Sequence, residues 1–554
     1  MQTKRDVSVT ERTTEWNSVN WRKANKVVRN LRQRIFKATQ DSNLRKVRCL
    51  QRLLMRSYSN ILVSVRRVTQ TNSGKHTPGV DKLVVKTPAA RGVLVDTLAK
   101  FIPWKPLPAR RVNIPKPNGK MRPLGIPSLI DRCLQAIVKN ALEPAWEAKF
   151  EGTSYGFRPG RSAHDAIGKI YTVACPNRKK KWVLDADIAG CFDNIAHEPL
   201  MKTVGNFPAR KLIHQWLKAG YMEKEGYFKT EIGTPQGGII SPLLANIALH
   251  GMEDALGVRY ENRGKLIGNR ALVRYADDFV VFCETREDAE QVKFDLNKWM
   301  GERGLQLSEE KTKISHLTEG FDFLGFNVRQ YAAPQSKTGW KLLIKPSPKS
   351  MQKIREKLRQ LWLNLKGCDV KTIIIKLNPI IRGWANYFRI GVSSEAFADL
   401  DNWMFRRESR YANHTHPNKN NGWRRNKYWG RLNLNRKDSW VFGDKYSGDH
   451  LLKFTWFEID RHIIVQGKSS PDDPSLKQYW EKRDLAKAKQ LSPSIQKLAQ
   501  KQGCTCSICG QSLFNGEETH KHHKVPRNQG GKDTYANLEL VHLLCHQQIH
   551  LGTT

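Results

Sequence analysis

Two adjacent carboxylates, Asp277 and Asp278, are the residues whose chemistry is easiest to specify. The tetrapeptide Tyr-Ala-Asp-Asp at 275–278 lies between two strand-length apolar runs, 271–273 and 279–282, which predicts a β-hairpin with both acids at its tip. Neighbouring aspartates repel each other, and Mg²⁺ would stabilise such a pair while also binding substrate phosphates. Two such ions can hold the attacking and leaving oxygens of a phosphoryl transfer. The alternative is a solvated Asp-Asp turn, and the tetrapeptide alone does not decide between them.

A second group of acids lies earlier in the chain. Residues 181–188 alternate as a β-strand does, and the face that carries Val183 also carries Asp185 and Asp187. Because both acids lie on the same face, strand parity cannot say which of them binds a metal ion.

Three blocks in this order resemble the palm of a reverse transcriptase. They are Asp187 with Phe192 five positions later, Gly-Thr-Pro-Gln-Gly-Gly at 233–238, and the tetrapeptide at 275–278. More narrowly, the sequence resembles group II intron reverse transcriptase/maturases. The resemblance implies that Asp187, Asp277 and Asp278 bind two Mg²⁺ ions, and it gives no such role to Asp185 or Asp193.

The same resemblance implies a binding site for the incoming nucleotide. Residues 110–123 predict a hairpin, with Asn-Gly at its turn and Arg122 on the return strand, and similarity to the fingers assigns Lys116 and Arg122 to the triphosphate. Phe192 would disfavour a 2′-hydroxyl, although an ordinary core phenylalanine is the alternative. Gln236 would hydrogen-bond the nucleotide. Lys311 would protonate pyrophosphate, with a solvated surface lysine as the alternative.

Other stretches combine aromatic and basic residues. Residues 154–162, with two arginines, match a further block of the family and predict contact with template or substrate backbone. After Pro346, a helix with an apolar face and a face of cations resembles the thumb, or maturase domain, which binds intron RNA. Residues 423–429 interleave tryptophans with arginines where the family has its DNA-binding region, and this composition predicts stacking and phosphate contact.

The carboxyl end contains two pairs of metal-ligating residues. Cys506 with Cys509 and His542 with Cys545 have the spacing of a structural zinc site. Cys504 is a substitute ligand that we discount, because the Cys506–Cys509 knuckle is followed by its expected glycine.

The histidines between and after these pairs resemble HNH endonucleases. The resemblance rests on residues 522–526, 530–531, 537–538, 545–546 and 550. It implies that His523 is the general base that activates water, a role that suits the pKa of imidazole. His522 and His546, with His550 as a third ligand, would hold one divalent ion, expected to be Mg²⁺, and Asn537 would orient the His523 segment. A structural zinc knuckle with spare histidines is the alternative.

Composition limits the compartment and the partners. The chain has 94 Lys and Arg against 52 Asp and Glu, a net charge of +42, and nucleic acid is the obvious partner for such a charge. No apolar signal segment or run of transmembrane length is present, so we expect no membrane association. Six of the ten cysteines are scattered and four crowd the carboxyl end, which indicates metal in a reducing compartment. We therefore expect the cytoplasm or nucleoid of a bacterium, or an organelle-like compartment, and not secretion.

With 554 residues the chain exceeds a single core, and we expect an α+β multidomain protein. The resemblance implies right-hand fingers and palm, a helical thumb, and a small ββα-metal HNH domain. The expected division is an amino-terminal helical extension at 1–80, fingers and palm at 81–335, thumb at 336–405, a DNA-binding region and linker at 406–490, and the nuclease with its zinc site at 491–554.

The resemblance implies a multifunctional intron-encoded protein. It would be an RNA-directed DNA polymerase, a splicing maturase and a DNA endonuclease that serves intron homing by target-primed reverse transcription. Its partners would be the intron RNA, target DNA and deoxynucleotides, with a homodimer one option for its assembly. One alternative is a retron-like or host-defence reverse transcriptase fused to an HNH nuclease. Another is an RNA-binding splicing factor whose polymerase has decayed, against which the intact acids count.

Overall fold

The computed structural model describes residues 13–115, 119, 121–224, 226–261 and 266–551. Helices and several separate sheets alternate along the chain, which confirms the expected mixed, multidomain α+β class. Among these residues no helix combines the length and the apolar composition that crossing a bilayer requires.

An amino-terminal layer of helices begins the described chain. Its members are α1 (Trp21–Gln40), α2 (Leu44–Met55), α3 (Tyr58–Arg66) and α4 (Pro88–Ala99). In α1, Trp21, Val28, Leu31 and Ile35 are buried on one face, and the helices of this layer agree with the expected amino-terminal helical extension. The side chain of Asn20 accepts a hydrogen bond from the backbone of Lys23 and so caps the helix start.

The predicted basic hairpin follows this layer. Strands β1 (Ala109–Pro115) and β2 (Met121–Ile126) pair antiparallel, with Ile114 opposite Arg122. Lys116 and most of the hairpin tip lie outside the described residues. The next helix, α5 (Leu129–Glu147), is buried on nearly every side and packs against α1, α2 and α3.

A central four-stranded sheet carries the predicted acids. Its members in chain order are β3 (Trp182–Asp187), β8 (Ala271–Tyr275), β9 (Asp278–Cys283) and β10 (Lys313–His316), and they lie in the order β10-β3-β9-β8. One face, with Leu184, Phe279 and Val281, joins the core beneath the surrounding helices. The opposite face, with Val183 and Val280, joins a second core. Both predicted strand segments are thus confirmed.

Helices and short strands surround this sheet. They are α6 (Ala163–Ala174), α7 (Cys191–Asn194), α8 (His197–Val204), α9 (Arg210–Lys218), β4 (Tyr221–Glu223), β5 (Gly226–Phe228), α10 (Ser241–Ala248), α11 (Met252–Ala255), β6 (Arg259–Tyr260), β7 (Leu266–Ile267) and α12 (Arg286–Gly301). Strand β4 pairs with β1, so the basic hairpin is attached to this region by a sheet.

A three-stranded sheet connects the central sheet to a helical region. It consists of β11 (Phe321–Phe323), β12 (Phe326–Ala332) and β13 (Trp340–Pro346), and α13 (Pro348–Asn364), α14 (Val370–Phe388) and α15 (Ser394–Thr415) follow. The expected boundary at 335/336 falls between the paired strands β12 and β13, and that at 405/406 falls inside α15. These units share one core, because the second core includes residues of both.

The region after α15 is mostly irregular but well attached. It contains α16 (Asn421–Tyr428), β14 (Trp429–Gly430) and β15 (Val441–Phe442). Residues 467–474, which the sequence predicts as a linker, bind the rest of the protein. Arg161 donates to the carbonyls of Gly467 (2.7 Å) and Ser469 (3.2 Å), and Arg32 forms a two-point ion pair with Asp472.

The chain ends in a small module of helices and a hairpin, here called the carboxyl-terminal module. Its elements, with the preceding helix α17 (Lys477–Ala488), are α18 (Pro493–Lys501), β16 (Thr519–His523), β17 (Leu538–His542) and α19 (Leu543–Leu551). The antiparallel hairpin followed by a helix is the ββα arrangement that we expected. This module shares a core with the amino-terminal layer, including Trp16, Trp21 and Val65.

Candidate active sites and metal centres

The central sheet brings the three predicted metal-binding acids together. Asp187 is the last residue of β3 and lies directly opposite Asp278, the first residue of β9. Asp277 belongs to the two-residue turn that the pair Tyr275 and Asp278 closes. Directly opposed residues have Cβ atoms about 5 Å apart, which is close enough for carboxylates to share an ion.

Buried groups beneath this turn fix its conformation. Ala276 has a φ of +61°, a value that residues with a Cβ seldom adopt. Arg274, only 1% exposed, donates to the carbonyl of Ala276 (3.3 Å) and to Asn246 Oδ1 (3.0 Å). Asn246 donates in turn to the carbonyl of Gly156 (2.9 Å), and a Cβ on Gly156 would overlap the backbone nitrogen of Ala276. The sequence analysis missed Arg274 and Asn246, because their partners are distant in the chain.

A nearby cation would stabilise the ionised form of these acids. Burial, followed by the charges of Asp277 and Asp187, raises the pKa of Asp278 to about 7, and burial also raises the pKa of Asp277. Lys311 Nζ forms an ion pair with Asp187, and this hydrogen bond raises the pKa of Lys311. Lys311 thus contacts one of the predicted acids, while most of its side chain is exposed. Asp187 and Asp278 face each other, with Asp277 in the adjoining turn, and offer the carboxylate oxygens that Mg²⁺ prefers; Mg²⁺ would compete with protons for Asp278.

Register separates the two acids that parity could not. Asp185 faces the same cavity as Asp187 and Asp278, of about 660 Å³. Burial, with the charges of Asp322 and Asp187, raises the pKa of Asp185 to about 7. Its cross-strand neighbours are Val280 and Lys313, whereas Asp187 opposes an acid. The structure thus places Asp187 beside the turn that carries Asp277, whereas Asp185 lies two residues earlier on β3.

Of the predicted nucleotide residues, Lys116 is outside the described residues. Arg122 is exposed on β2, and its charge offsets part of the effect of burial on the pKa of Asp277. Gln236 is half-buried and donates to Asp193 Oδ2 at 3.4 Å. The turn that carries Gln236 includes Gly233 and Gly237 at φ +86° and +123°, so glycine is needed there.

Phe192 is partly buried and has an aromatic neighbour that the sequence did not reveal. The ring of Phe157 meets it edge to face, with centroids 6.3 Å apart. Phe157 is 49% exposed and has a φ of +60°, which is unusual for a bulky residue and often marks a functional position.

The two arginines of the 154–162 block do not face solvent, and the expectation that they contact template or substrate is wrong. Arg158 is buried against Glu147 (2.9 Å) and donates to the carbonyls of Glu151 and Ser154. Arg161 is also buried and binds carbonyl oxygens, including that of Gly152 (2.9 Å). The block contacts the turn at 276–277 through Gly156, and both of its guanidinium groups are bound to protein carbonyls or carboxylates.

The carboxyl-terminal module brings the four predicted zinc ligands together. The ligand atoms of Cys506, Cys509, His542 and Cys545 all lie within 4.8 Å of one another, and all four residues are buried. His542 Nδ1 lies 3.3 Å from Cys509 Sγ, and its Nε2 can donate to the carbonyl of Ser512 (3.2 Å), which leaves Nδ1 for a metal. Within the described chain, Cys504 is outside this cluster, and burial raises the pKa of its thiol. The donor set fits a structural Zn²⁺.

A second cluster contains the histidines assigned to a divalent ion. The ligand nitrogens of His522, His546 and His550 lie within 4.8 Å of one another. Imidazoles suit transition ions, whereas Mg²⁺ prefers oxygen ligands. The cluster therefore fits a divalent ion, and it fits a transition metal better than the expected Mg²⁺.

His523 ends β16, and its neighbours fix the loop that follows. Its Nε2 lies 2.5 Å from Asp533 Oδ1, and Arg527 holds the same carboxylate (2.7 Å to Oδ2). Asn537 accepts from the backbone of Val525 (2.7 Å) and donates to its carbonyl (3.0 Å), two residues after His523. Asp533 was missed, because nothing in the local pattern distinguishes it from a surface acid.

Four known families match successive segments of the chain. Residues 16–98 match the N-terminal domain of reverse transcriptase, and residues 114–328 match reverse transcriptase (RNA-dependent DNA polymerase). Residues 351–429 match the group II intron maturase-specific domain, and residues 506–551 match HNH endonuclease.

Two relatives have substantial identity. Protein YkfC of Escherichia coli is 37% identical over 329 residues, which cover 52% of this chain and 85% of that protein. The group II intron-encoded protein LtrA of Lactococcus lactis is 31% identical over 401 residues, 55% of this chain and 66% of LtrA. This chain belongs to the group II intron-encoded reverse transcriptase/maturase family. It carries a carboxyl-terminal HNH endonuclease domain, so the predicted combination of polymerase, maturase and nuclease is confirmed.

Among solved structures, telomerase from Candida albicans in complex with a telomeric RNA fragment aligns with a TM-score of 0.31 and 15% identity. The alignment covers 56% of this chain and 59% of that chain, and so weak a similarity has no bearing on function.

The maturase-specific segment has the predicted cationic face. On α13, Ile354 and Leu358 are buried, while Lys353, Lys357 and Arg359 are exposed.

The 423–429 stretch of the same segment meets its prediction only in part. Trp423 is 37% exposed between Lys419 and Lys427. Trp429 is buried and donates to Glu408 (3.0 Å), so the expectation that it stacks on nucleic acid is wrong.

Proposed function

We propose that this protein nicks a DNA strand with its HNH domain and extends the new 3′ end at its palm by copying the intron RNA. The proposal is supported by one chain carrying both an acid cluster and a histidine cluster together with a maturase-specific domain. The intron RNA, target DNA and deoxynucleotides are its proposed partners. A homodimer and an intracellular compartment remain part of this proposal, as does the expected domain division apart from its boundaries at 335/336 and 405/406, which cut a sheet and a helix.

The single observation that carries the polymerase assignment is the pairing of Asp187 with Asp278 beside the turn of Asp277. These acids would hold two Mg²⁺ ions, which supply charge stabilisation to the attacking and leaving oxygens. Lys311, which is paired with Asp187, would protonate pyrophosphate. Arg122 and Lys116 would bind the triphosphate oxygens.

Phe192 and Gln236 complete the proposed nucleotide site. Phe192 would lie beneath the sugar and exclude a 2′-hydroxyl, which selects deoxynucleotides. Gln236, at the glycine turn, would hydrogen-bond the nucleotide.

The test of the palm uses two acids on one strand face. Asp187→Asn should abolish primer extension on an RNA template, whereas Asp185→Asn should leave most of it, because Asp185 opposes Val280 and not an acid. Extension that survives Asp187→Asn or Asp277→Asn, or an equal loss in Asp185→Asn, would remove the assignment.

In the nuclease site, His523 is the proposed general base. His522, His546 and His550 would hold the ion that stabilises charge on the scissile phosphate. Asn537 orients the His523 loop. Asp533, which is bound to Arg527, orients the ring of His523 through its contact with Nε2.

A nicking assay on target DNA tests this site. His523→Ala should abolish nicking while extension from a supplied primer continues, and His214→Ala, an exposed histidine on α9 outside the carboxyl-terminal module, should retain nicking. Manganese or nickel should support nicking at lower concentration than magnesium. Nicking that persists in His523→Ala would place the base elsewhere.

A further inference from the structure

A buried arginine of the amino-terminal layer reaches the cysteine cluster of the nuclease module. Arg66, the last residue of α3, is 7% exposed and donates from Nη2 to Cys545 Sγ at 3.2 Å. Its guanidinium carbon lies 4.4 Å from the ring centroid of Trp21, so the planar group is held by stacking as well. This contact joins residues that are 479 positions apart in the chain.

The contact with Arg66 offsets the negative charge that the zinc cluster would carry. Three thiolates and one neutral imidazole around Zn²⁺ leave a net charge of −1. All four ligands are at most 2% exposed, and an uncompensated buried charge is costly. Arg66 brings the compensating positive charge from outside the module that holds the ligands.

Further hydrogen bonds connect the same two units. Asn25 on α1 donates to the carbonyl of Cys509 at 3.1 Å. Gln548 on α19 donates to the carbonyls of Asn17 (2.8 Å) and Val19 (3.0 Å). The zinc knuckle and the last helix are therefore both bound to the amino-terminal layer, around a common apolar core.

We propose that Arg66 completes the zinc centre from outside the nuclease module, so that zinc binding and docking of the module on the amino-terminal layer form one linked equilibrium. The inference rests on a structural Zn²⁺ bound by Cys506, Cys509, His542 and Cys545. By linkage, Arg66 in the docked state strengthens zinc binding, and bound zinc favours docking by the same factor. Loss of zinc thus loosens the nuclease from the polymerase as well as unfolding the knuckle.

The role of Arg66 in zinc binding is tested by the zinc affinity of the full-length chain, measured by competition with a chromophoric chelator. Arg66→Gln should bind zinc about 10-fold or more weakly, the usual effect of losing a partner of a ligand. Arg66→Lys keeps the charge without the planar group and should be intermediate. Arg22→Gln is the matched control, because Arg22 is an exposed arginine beside Gly510 of the knuckle, and its affinity should equal that of the unsubstituted chain.

Hydrogen exchange of the unsubstituted chain tests the linkage between zinc binding and docking. Chelation of zinc should speed amide exchange in α1 and α3, and in zinc-loaded Arg66→Gln this exchange should already be faster. Unchanged exchange in α1 and α3 after chelation would overturn the linkage even if the variant does not fold, and equal affinities of Arg66→Gln and the unsubstituted chain would overturn the role of Arg66. A chain that binds no zinc would instead remove the zinc site itself.

Discussion

At the scale of single residues, the edge-to-face pair of Phe157 and Phe192 is the contact most open to a test of substrate choice. The sequence marked Phe192, but a core phenylalanine was an equal reading, and the structure gives it a half-exposed partner with a strained backbone. Because Phe157 restricts the motion of the Phe192 ring, this ring can exclude a 2′-hydroxyl better than a mobile ring could.

Replacing Phe192 by valine should therefore raise incorporation of ribonucleotides relative to deoxynucleotides by about 10-fold or more, since the pocket gains room. Phe157→Ala should produce a smaller change in the same direction, because it removes only the support. The measurement is the ratio of kcat/KM for the two nucleotide types in single-nucleotide extension. An unchanged ratio in Phe192→Val would make that ring ordinary core.

A glycine offers a sharper test of the catalytic turn. In Gly156→Ala the added Cβ overlaps the backbone of Ala276 and must move the turn that carries Asp277. Because small displacements of catalytic groups are costly, kcat for primer extension should fall about 100-fold. Gly383→Ala is the control, since its Cβ meets nothing within 4 Å and the site is an exposed helix position. Equal kcat for both variants would show that Gly156 does not position the turn.

At the scale of elements, the stretch at 467–474 shows how a linker-like composition can be firmly attached. Glycine, proline and serine predict a flexible connection, yet Arg161, Arg32 and the ring of Trp480 all bind this segment. Arg32 also binds Glu143 on α5 at 3.0 Å, so one guanidinium joins α1, α5 and the segment.

Removal of this guanidinium should destabilise the protein strongly. Arg32→Ala leaves Glu143 and Asp472 buried without their partner, and the free energy of unfolding at neutral pH should fall by about 3–5 kcal/mol in chemical denaturation. Lys37→Ala on the same helix breaks only an exposed pair with Asp41 and should cost less than about 0.5 kcal/mol. Similar losses for the two variants would contradict this account.

The same cluster predicts an acid dependence. Burial alone raises the pKa of Glu143, but Lys139 and Arg32 outweigh it and lower the pKa to about 2. Because the folded pKa lies below the unfolded value, this contribution is complete above about pH 4.5 and is lost as the pH falls towards 2. In Arg32→Ala the pKa of Glu143 should rise towards its unfolded value, so the loss of stability between about pH 4.5 and 2 should be smaller, and Tm measured against pH checks it. Identical acid limbs for the two proteins would exclude the ion pair as the cause.

At the scale of the whole molecule, a net charge of +42 governs association with RNA. Each phosphate that a cation neutralises releases a counterion, so affinity for intron RNA should fall about 10³-fold or more between 50 and 200 mM salt. Lys353→Gln and Lys357→Gln on α13 should each lower the slope of log affinity against log salt by about 1 if they contact phosphate. Filter binding over a salt series measures this slope, and a slope unaltered by both variants would place the RNA elsewhere.

The sequence by itself determined what is local or repeated along the chain. It predicted the acids on a strand and a turn, the basic hairpin, the amphipathic α13 and the pairs of zinc ligands. These features could be predicted because strand alternation, helical spacing and the spacing of paired ligands each involve residues only a few positions apart. It also identified the family from the order of these blocks.

Tertiary structure alone decided which distant residues meet. Register, and not parity, set Asp187 opposite Asp278 and Asp185 opposite Val280. Burial turned Arg158 and Trp429 from expected nucleic-acid contacts into core groups. The contact of Arg66 with Cys545 depends on how two ends of the chain pack, and no local pattern encodes the burial and neighbours that result from packing.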